Sequence, residues 1–169
     1  MKQDLEFEFS VNKENKTITV KREFAAELPL VWDAYTKSEI LDQWWAPKPW
    51  KSRTKTMDFR EGGHWHYAMV GPEGEEHWAL ANYKTIDPKR RFTALDGFAD
   101  ADGVINTQMP QSKWEVSFTP EDDFTLVENR ITFDDLAQLE TTIQMGFKEG
   151  LTMAMENLDQ ILAAQKQVA

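Results

Sequence analysis

The sequence lacks cysteine altogether. Disulfide bonds, thiol nucleophiles and thiolate metal sites are therefore excluded. It also lacks any apolar run close to the roughly 20 residues that a membrane span needs. Met1 leads into a charged, alternating segment rather than into the apolar core of a signal peptide. We therefore expect a cytoplasmic protein without a membrane span.

Basic residues are comparatively few, since 19 Lys and Arg stand against 29 Asp and Glu and give a formal net charge of -10. Nucleic acids and anionic membranes are bound by clustered Lys and Arg. The densest basic group, Lys84 and Lys89–Arg91, flanks the dipeptide Asp87-Pro88 and is interpreted as a solvated turn. The charge therefore disfavours nucleic acid as a partner.

Low-complexity and linker-like runs are missing as well, and a chain of 169 residues suits one domain with a sizeable core. We expect a single domain over residues 1–169, in which residues 1–15 add an N-terminal strand to the sheet. Aromatic residues, in contrast, are abundant, with seven Trp and ten Phe. Because such side chains fill cores or line apolar pockets, their excess is a first indication of a cavity.

The first part of the chain predicts a β-hairpin followed by two short helices. Leu5–Val11 alternates apolar and polar residues, Asn12–Asn15 supplies a turn, and alternation resumes over Lys16–Phe24. Pro29 opens a first helical pattern, and Ser38 is the expected N-cap of a second.

Strand patterns then continue from Arg53 to Phe133, interrupted by turns such as Gly71–Gly74. A pairing of Val70 with Glu75 across this turn places five apolar residues on one sheet face, namely Trp65, Tyr67, Met69, Trp78 and Leu80. The same register places three histidines on the other face, namely His64, His66 and His77. Three imidazoles would suit zinc, but this face is expected to lie in solvent. We therefore predict neither a metal site nor a cofactor.

The last long segment, Leu139–Ala164, is predicted to be one amphipathic helix. Its apolar residues recur three or four positions apart and share a face, namely Ile143, Phe147, Leu151, Ala154, Leu158 and Ile161. Gly146 and Gly150 begin a second, less bulky line that continues with Met153 and Asn157. Glycine inside a helix costs roughly 1 kcal/mol relative to alanine. Either another backbone packs closely against these glycines, or the space that they leave is used.

The order of these elements predicts an α+β fold. A curved antiparallel β-sheet is wrapped around a long C-terminal α-helix, with two short helices after the first strand. In the penultimate strand, Trp114, Val116 and Phe118 alternate with polar residues. One face of the sheet is therefore expected to be dry and the other wet.

Four motifs resemble those of one known family. They are Trp44-Trp45-Ala46-Pro47, Phe59-x-x-Gly62-Gly63-x-Trp65-x-Tyr67-x-Met69-x-Gly71-Pro72-x-Gly74, Trp114-x-Val116-x-Phe118 and Met145-Gly146-Phe147-x-Glu149-Gly150. With these motifs in this order, about residues 16–162 of the chain resemble the bacterial proteins related to the activator of heat-shock-protein-90 ATPase. That family lies within the START-related, polyketide-cyclase-like superfamily.

The resemblance implies a helix-grip fold with a cavity between the curved sheet and the C-terminal helix. Members of the superfamily bind lipids, sterols, aromatic polyketides or other apolar molecules, and some are cyclases. Most bacterial members of this family have no assigned reaction. No catalytic role attaches to the motifs, so no catalytic residue is carried over to this chain.

The candidate site is this cavity. Its predicted lining residues are Trp44, Trp45, Trp65, Tyr67, Met69, Trp78, Asp96, Trp114, Asn129, Gly146, Phe147, Gly150 and Leu151. Most are apolar or aromatic, as in pockets for small ligands, and the alternative is that they form a solid core. Asp96 and Asn129 are polar residues in otherwise apolar strands. Asn129 is expected to point inward, whereas Asp96, beside Gly97, is expected to face a loop.

Three functions are weighed, and the leading one is non-catalytic or weakly catalytic binding of an apolar or aromatic small molecule or lipid in the cavity. The second is a cyclase- or hydrolase-type enzyme that acts on a hydrophobic substrate through Tyr67, Asp96 or Asn129. The third is a chaperone-interaction module. Eukaryotic co-chaperones of the family carry a further N-terminal domain, for which this chain has only about fifteen residues, and this disfavours the third function.

Oligomeric state is predicted only from the N-terminal hairpin. Leu5, Phe7 and Phe9 are apolar residues that a hairpin at the sheet edge would leave exposed. They would suit a contact between two copies of the chain, and we therefore expect a homodimer.

Overall fold

The computed structural model describes residues 5–168. In this part of the chain the strands are Phe7–Asn12 (β1), Thr17–Phe24 (β2), Lys51–Asp58 (β3), His64–Val70 (β4), Glu76–Asp87 (β5), Arg91–Ala99 (β6), Gln111–Glu121 (β7) and Phe124–Phe133 (β8). The helices are Leu28–Thr36 (α1), Ser38–Trp44 (α2), Leu136–Gln144 (α3) and Phe147–Val168 (α4). Residues 1–4 of the predicted N-terminal extension, and Ala169, lie outside the described residues.

All these strands form one antiparallel sheet in the order β1-β2-β8-β7-β6-β5-β4-β3. The N-terminal hairpin and β3 therefore lie at opposite edges, and the two short helices connect them. These helices follow the second strand rather than the first. The predicted α+β fold, a curved antiparallel sheet with a long C-terminal helix, is confirmed.

The alternation in β7 separates the two faces of the sheet as predicted. Trp114, Val116 and Phe118 are buried on the concave face, whereas Lys113 is exposed on the convex face. The concave face carries the core because the helices pack against it. Within the described residues, the structure has no helix that is long and apolar enough to cross a membrane.

The prediction of one continuous C-terminal helix is wrong, because the chain breaks between α3 and α4. Gly146 has a φ of +87°, in the left-handed region that favours glycine, and its N–H donates to the carbonyl of Ile143 at 3.1 Å. Asp135 caps the start of α3 by accepting from the N–H of Gln138 at 2.8 Å. In α4 the predicted apolar stripe continues, with Leu158 fully buried.

The two short helices begin almost where the sequence predicts. Pro29 lies in the first turn of α1, where its missing N–H has no intrahelical partner to lose. Ser38, however, is the first residue of α2 rather than its N-cap. The N-cap is Lys37, and no side-chain cap hydrogen bond forms there.

The end of α2 is tied to α4 by buried hydrogen bonds. The Asn157 amide, which is 7% exposed, donates to the carbonyls of Trp44 and Ala46 at 3.5 and 3.3 Å. Trp44 donates its indole N–H to the carbonyl of Ala34 at 2.9 Å. Of the predicted second line on the helix, Asn157 is therefore a structural contact, and Met153 is 41% exposed.

The predicted register of the β4–β5 hairpin is wrong by one residue. Val70 pairs with Glu76 rather than with Glu75. The reason is that Gly71 donates its N–H to the carbonyl of Glu75 at 2.8 Å, so that Glu75 belongs to the turn. A shift of one residue moves every side chain of a strand to the other face. Trp78 consequently lies opposite Ala68 on the convex face.

The three histidines therefore do not share a face. His64 and His66 lie on the convex side, whereas His77 belongs to the concave side. The Nε2 atom of His66 lies 2.9 Å from the carbonyl oxygen of Asp100, and its ring centroid is 4.9 Å from that of Trp78. Among residues 5–168, no group of three His, Asp or Glu side chains is arranged to hold a metal ion.

The N-terminal hairpin forms as predicted, with Phe7 opposite Arg22. Most side chains of β1 are exposed, and Phe7 itself is 39% exposed. Phe9 turns toward α4, where its ring centroid is 6.3 Å from that of Phe147.

Candidate ligand cavity

A cavity of about 360 Å³ lies between the concave face of the sheet and the region where α3 meets α4. The strands contribute Tyr67 from β4 and Trp114 from β7, among others. The loop after α2 contributes Trp45 and Pro47. Elements that are far apart in sequence thus converge on one mostly apolar space.

Gly146 and Gly150 are glycines for different reasons, and at neither position does another backbone pack closely. At Gly146 the positive φ requires glycine, and an added Cβ would meet nothing within 4 Å. At Gly150 an added Cβ would lie 3.7 Å from Cγ of Pro47, which is an ordinary contact distance. Gly150 borders the cavity, and its missing side chain leaves space there. This corresponds to the second alternative from the sequence, in which the space beside the glycine is used.

The wall of the cavity is largely aromatic. The ring centroids of Trp45 and Trp114 are 6.0 Å apart, and those of Trp114 and Phe147 are also 6.0 Å apart. Behind them, Trp65 packs against Trp45 at 5.8 Å and stacks on Tyr67 at 3.8 Å. These contacts hold the rings in place, so that they line a space without collapsing into it.

The indole N–H groups of Trp45 and Trp114 are already satisfied within the protein. Trp45 donates to the hydroxyl oxygen of Tyr67 at 3.0 Å, and Trp114 donates to Oγ of Ser112 at 3.0 Å. The indoles therefore present their apolar surfaces, rather than free donors, to the cavity.

Asp96 is the carboxyl group of the cavity. It shares the concave face of β6 with Phe92 and Ala94, so the prediction that it faces a loop is wrong. Its backbone lies between Ala81 and Ser112 of the neighbouring strands. Burial raises the pKa of Asp96 to about 7. Of the described residues, none forms a hydrogen bond or ion pair with this carboxyl group.

The charge of Asp96 affects the phenol groups of Tyr67 and Tyr83. Burial, and next the charge of Asp96, raises the pKa of both side chains above its ordinary value. Both remain protonated at neutral pH. The polar groups of the lining thus include the carboxyl group of Asp96, the neutral hydroxyl group of Tyr67 and the imidazole of His77.

Most of the thirteen predicted residues border the cavity, and three do not. Trp44 is 1% exposed in the core beneath α2, and Trp65 lies behind the wall. Asn129 points inward as predicted and is 2% exposed, but it lies elsewhere, beside Tyr35. Trp78 borders the cavity, although its indole packs near His66 on the convex face.

Several lining residues were missed by the sequence analysis, namely Pro47, Trp50, His77, Ala79, Gly97, Phe98, Pro110, Ser112, Phe133, Thr142 and Met145. Ser112 and Phe133 alternate in step with the predicted inward residues of their strands. The sequence could therefore have predicted that they point into the cavity. His77 was lost through the wrong register. Pro47, Trp50 and Pro110 lie in loops, where no periodicity indicates direction.

A curved antiparallel sheet around a C-terminal helix, with a cavity between them, defines a helix-grip protein. The particular family follows from the sequence, since residues 25–163 match the model of the activator of Hsp90 ATPase homolog 1-like proteins. The chain belongs to this family, and the resemblance seen in its motifs is confirmed.

Solved structures agree with this assignment. Protein Ms6760 from Mycobacterium smegmatis is 30% identical, with a TM-score of 0.86 over 94% of this chain and 97% of that one. A protein from Arthrobacter aurescens is 27% identical, with a TM-score of 0.87 over 93% and 91% of the two chains. A protein from Staphylococcus epidermidis is also 27% identical, with a TM-score of 0.81 over 92% and 94%. No protein of curated function gives a significant match.

Proposed function

We propose that the protein binds an apolar or aromatic small molecule in the cavity between the sheet and α4. The family is typically ligand-binding. The observation that carries the proposal is the space left beside Gly150 and walled by the rings of Trp45, Trp114 and Phe147. Pockets for small ligands typically span about 300–1,000 Å³ and have mostly apolar linings. A volume of about 360 Å³ suits a compact ligand of one to three rings.

Native mass spectrometry of freshly purified, untagged protein tests the proposal first, because a co-purified ligand would appear as a mass increment. Binding is then measured by calorimetry with 1-naphthylmethanol as a neutral aromatic probe. The variant Gly150→Leu places a branched side chain in the cavity. We expect it to bind the probe about ten-fold more weakly, as a loss of apolar contact predicts.

The matched control is Met153→Leu, which changes an exposed side chain one turn further along α4. Circular dichroism should show the same helix content in both variants. Equal probe affinity in the parent protein and in Gly150→Leu would show that the ligand lies elsewhere.

A cyclase- or hydrolase-type reaction is the second candidate, and one observation favours it. Asp96 is a titratable group that borders the cavity with a pKa of about 7, which suits a general acid or base at neutral pH. Hydrophobic esters and poly-β-ketone analogues would serve as substrates. In an enzyme, Asp96→Asn would abolish turnover and keep substrate binding. Turnover that survives this substitution would contradict a catalytic role for Asp96.

The homodimer, the chaperone contact and the cytoplasmic location stay predictions from the sequence. The same native mass spectra report the mass of the assembly. A lack of stimulation in an assay of chaperone ATPase activity would retire the third function.

A further inference from the structure

The described lining of the cavity contains an acidic side chain and no Lys or Arg. Asp96, His77 and Tyr67 are its titratable side chains. A ligand with a carboxylate or phosphate group would find no basic side chain there and would meet Asp96. The lining therefore disfavours anionic ligands such as fatty acids.

Asp96 also lacks a partner of its own. Among residues 5–168 no donor reaches its carboxyl oxygens, although it lies among apolar side chains such as Phe98 and Trp114. Asp96 is partly buried, with some exposure to the cavity. A carboxyl group in such a place gains free energy from a donor, and a charged hydrogen bond contributes more than a neutral one. The carboxyl group is thus poised for a donor that the protein does not supply.

The aromatic wall and the charge of the whole molecule favour the same kind of donor. Ring faces such as those of Trp45 and Phe147 carry negative potential and attract cations. The net charge of -10 gives the protein a negative field, which raises the local concentration of cations. A protonated amine satisfies both conditions, whereas a neutral alcohol satisfies neither.

We infer that the ligand is a hydrophobic amine, whose protonated nitrogen donates to the carboxylate of Asp96 while its apolar body lies against the aromatic wall. This inference rests on the proposed function, since it names the chemical class of the molecule in the same cavity. Trp45 and Trp114 contact the apolar body, and Asp96 selects the headgroup.

The pH dependence of binding follows from the groups around Asp96. Tyr67 from β4 and Tyr83 from β5 stay neutral, Ser112 from β7 does not titrate, and His77 lies in the same lining. Because the pKa of Asp96 is about 7, its carboxylate is more populated at pH 8 than at pH 6. We therefore expect the affinity for the amine to rise from pH 6 to pH 8. In Asp96→Asn, the share of this rise that is due to Asp96 should be absent.

Three probes with the same aromatic body test the inference. They are the cation of 1-naphthylmethylamine, the neutral 1-naphthylmethanol and the carboxylate anion 1-naphthaleneacetate. At pH 7.5 we expect the amine to bind about ten-fold more tightly than the alcohol, as one charged hydrogen bond predicts. The acetate should bind most weakly of the three. Asp96→Asn should weaken amine binding about ten-fold and change alcohol binding less than about two-fold.

The control for loss of one negative charge is Glu149→Gln, which changes an exposed side chain beside Gly150 and outside the lining. It should leave the affinity of the amine within about two-fold of the parent, because an exposed charge is screened by solvent. If the alcohol or the acetate binds as tightly as the amine, the amine inference is wrong and the proposed function stands. The same holds if Asp96→Asn leaves amine affinity unchanged. If none of the probes binds to the parent protein, both proposals fail.

Discussion

The two ends of the concave face use the same kind of side chain to opposite effect. At one end, aromatic rings fill the space between α1 and the sheet. This packed end consists of Trp32, Phe59, Tyr83, Phe92 and Phe118. At the other end, rings surround a space. This cavity end consists of Trp45, Tyr67, Trp114 and Phe147, with Asp96 among them.

The difference lies in what the facing helix presents. α1 inserts Trp32, whose ring centroid lies 5.0 Å from that of Phe118, 5.8 Å from that of Phe59 and 6.1 Å from that of Phe92. α4 presents Gly150 to the cavity end. The aromatic content of a sheet face therefore does not decide between core and cavity. The size of one or two residues on the opposing helix decides it.

The largest expected effect comes from removing the indole at the packed end. Trp32→Ala should lower the free energy of unfolding by about 3–5 kcal/mol, because it leaves a cavity among three rings. Trp45→Ala should cost only about 1–2 kcal/mol, because Trp45 is half-buried and already borders empty space. Urea denaturation of both variants measures the contrast. Equal losses would mean that the two ends are packed alike.

A smaller effect is expected from the carboxyl group at the cavity end. The pKa of Asp96 in the folded protein is about 7, above its ordinary value of 3.8. Its protonated form therefore stabilises the fold, and this contribution is complete below pH 3.8 and is lost as pH rises through about 7.

Asp96→Asn keeps the shape and is neutral at every pH. At pH 8 we expect the variant to be more stable than the parent by about 1–3 kcal/mol, and the difference should vanish toward pH 4. Thermal unfolding from pH 4 to pH 8 measures this, with Glu149→Gln as the baseline for loss of one charge. A constant difference between variant and parent would contradict the burial of Asp96.

The smallest expected effect is on stability, when each of the two glycines at the cavity end is replaced by alanine. Gly146→Ala should destabilise by about 1–2 kcal/mol, because its backbone lies in the left-handed region. Gly150→Ala should be neutral or stabilise by up to about 1 kcal/mol, because alanine favours a helix and the added Cβ meets only an ordinary contact. Chemical denaturation compares the two. A destabilising Gly150→Ala would show that the backbone there needs glycine.

The sheet was predictable because the side chains of several strands alternate, as in β7 and β8. The pattern predicted that the strands end at Phe133, which is where β8 ends. The β4–β5 register failed because it depends on whether Glu75 belongs to the turn or to the strand, and composition does not distinguish these cases. The helix break at Gly146 was missed because the apolar spacing from Ile143 to Phe147 continues across it.

The cavity wall was partly predictable for the same reason. Trp114 and Tyr67 follow from strand parity, and so does Asp96, which shares the parity of Phe92 and Ala94 although the adjacent Gly97 suggested a loop. The loop residues Pro47 and Trp50 were not predictable, since a loop has no repeating direction. The volume of the cavity depends on how far apart sheet and helix lie, and no local pattern contains that distance.

The buried amide of Asn157 has a consequence for affinity, although it does not line the cavity. By holding the carbonyls of Trp44 and Ala46, it fixes the chain on either side of Trp45 against α4 before any ligand arrives. The conformational entropy of ordering this wall is then lost during folding rather than during binding. Under the proposed function, a compact ligand would therefore contact an indole that is already fixed in place.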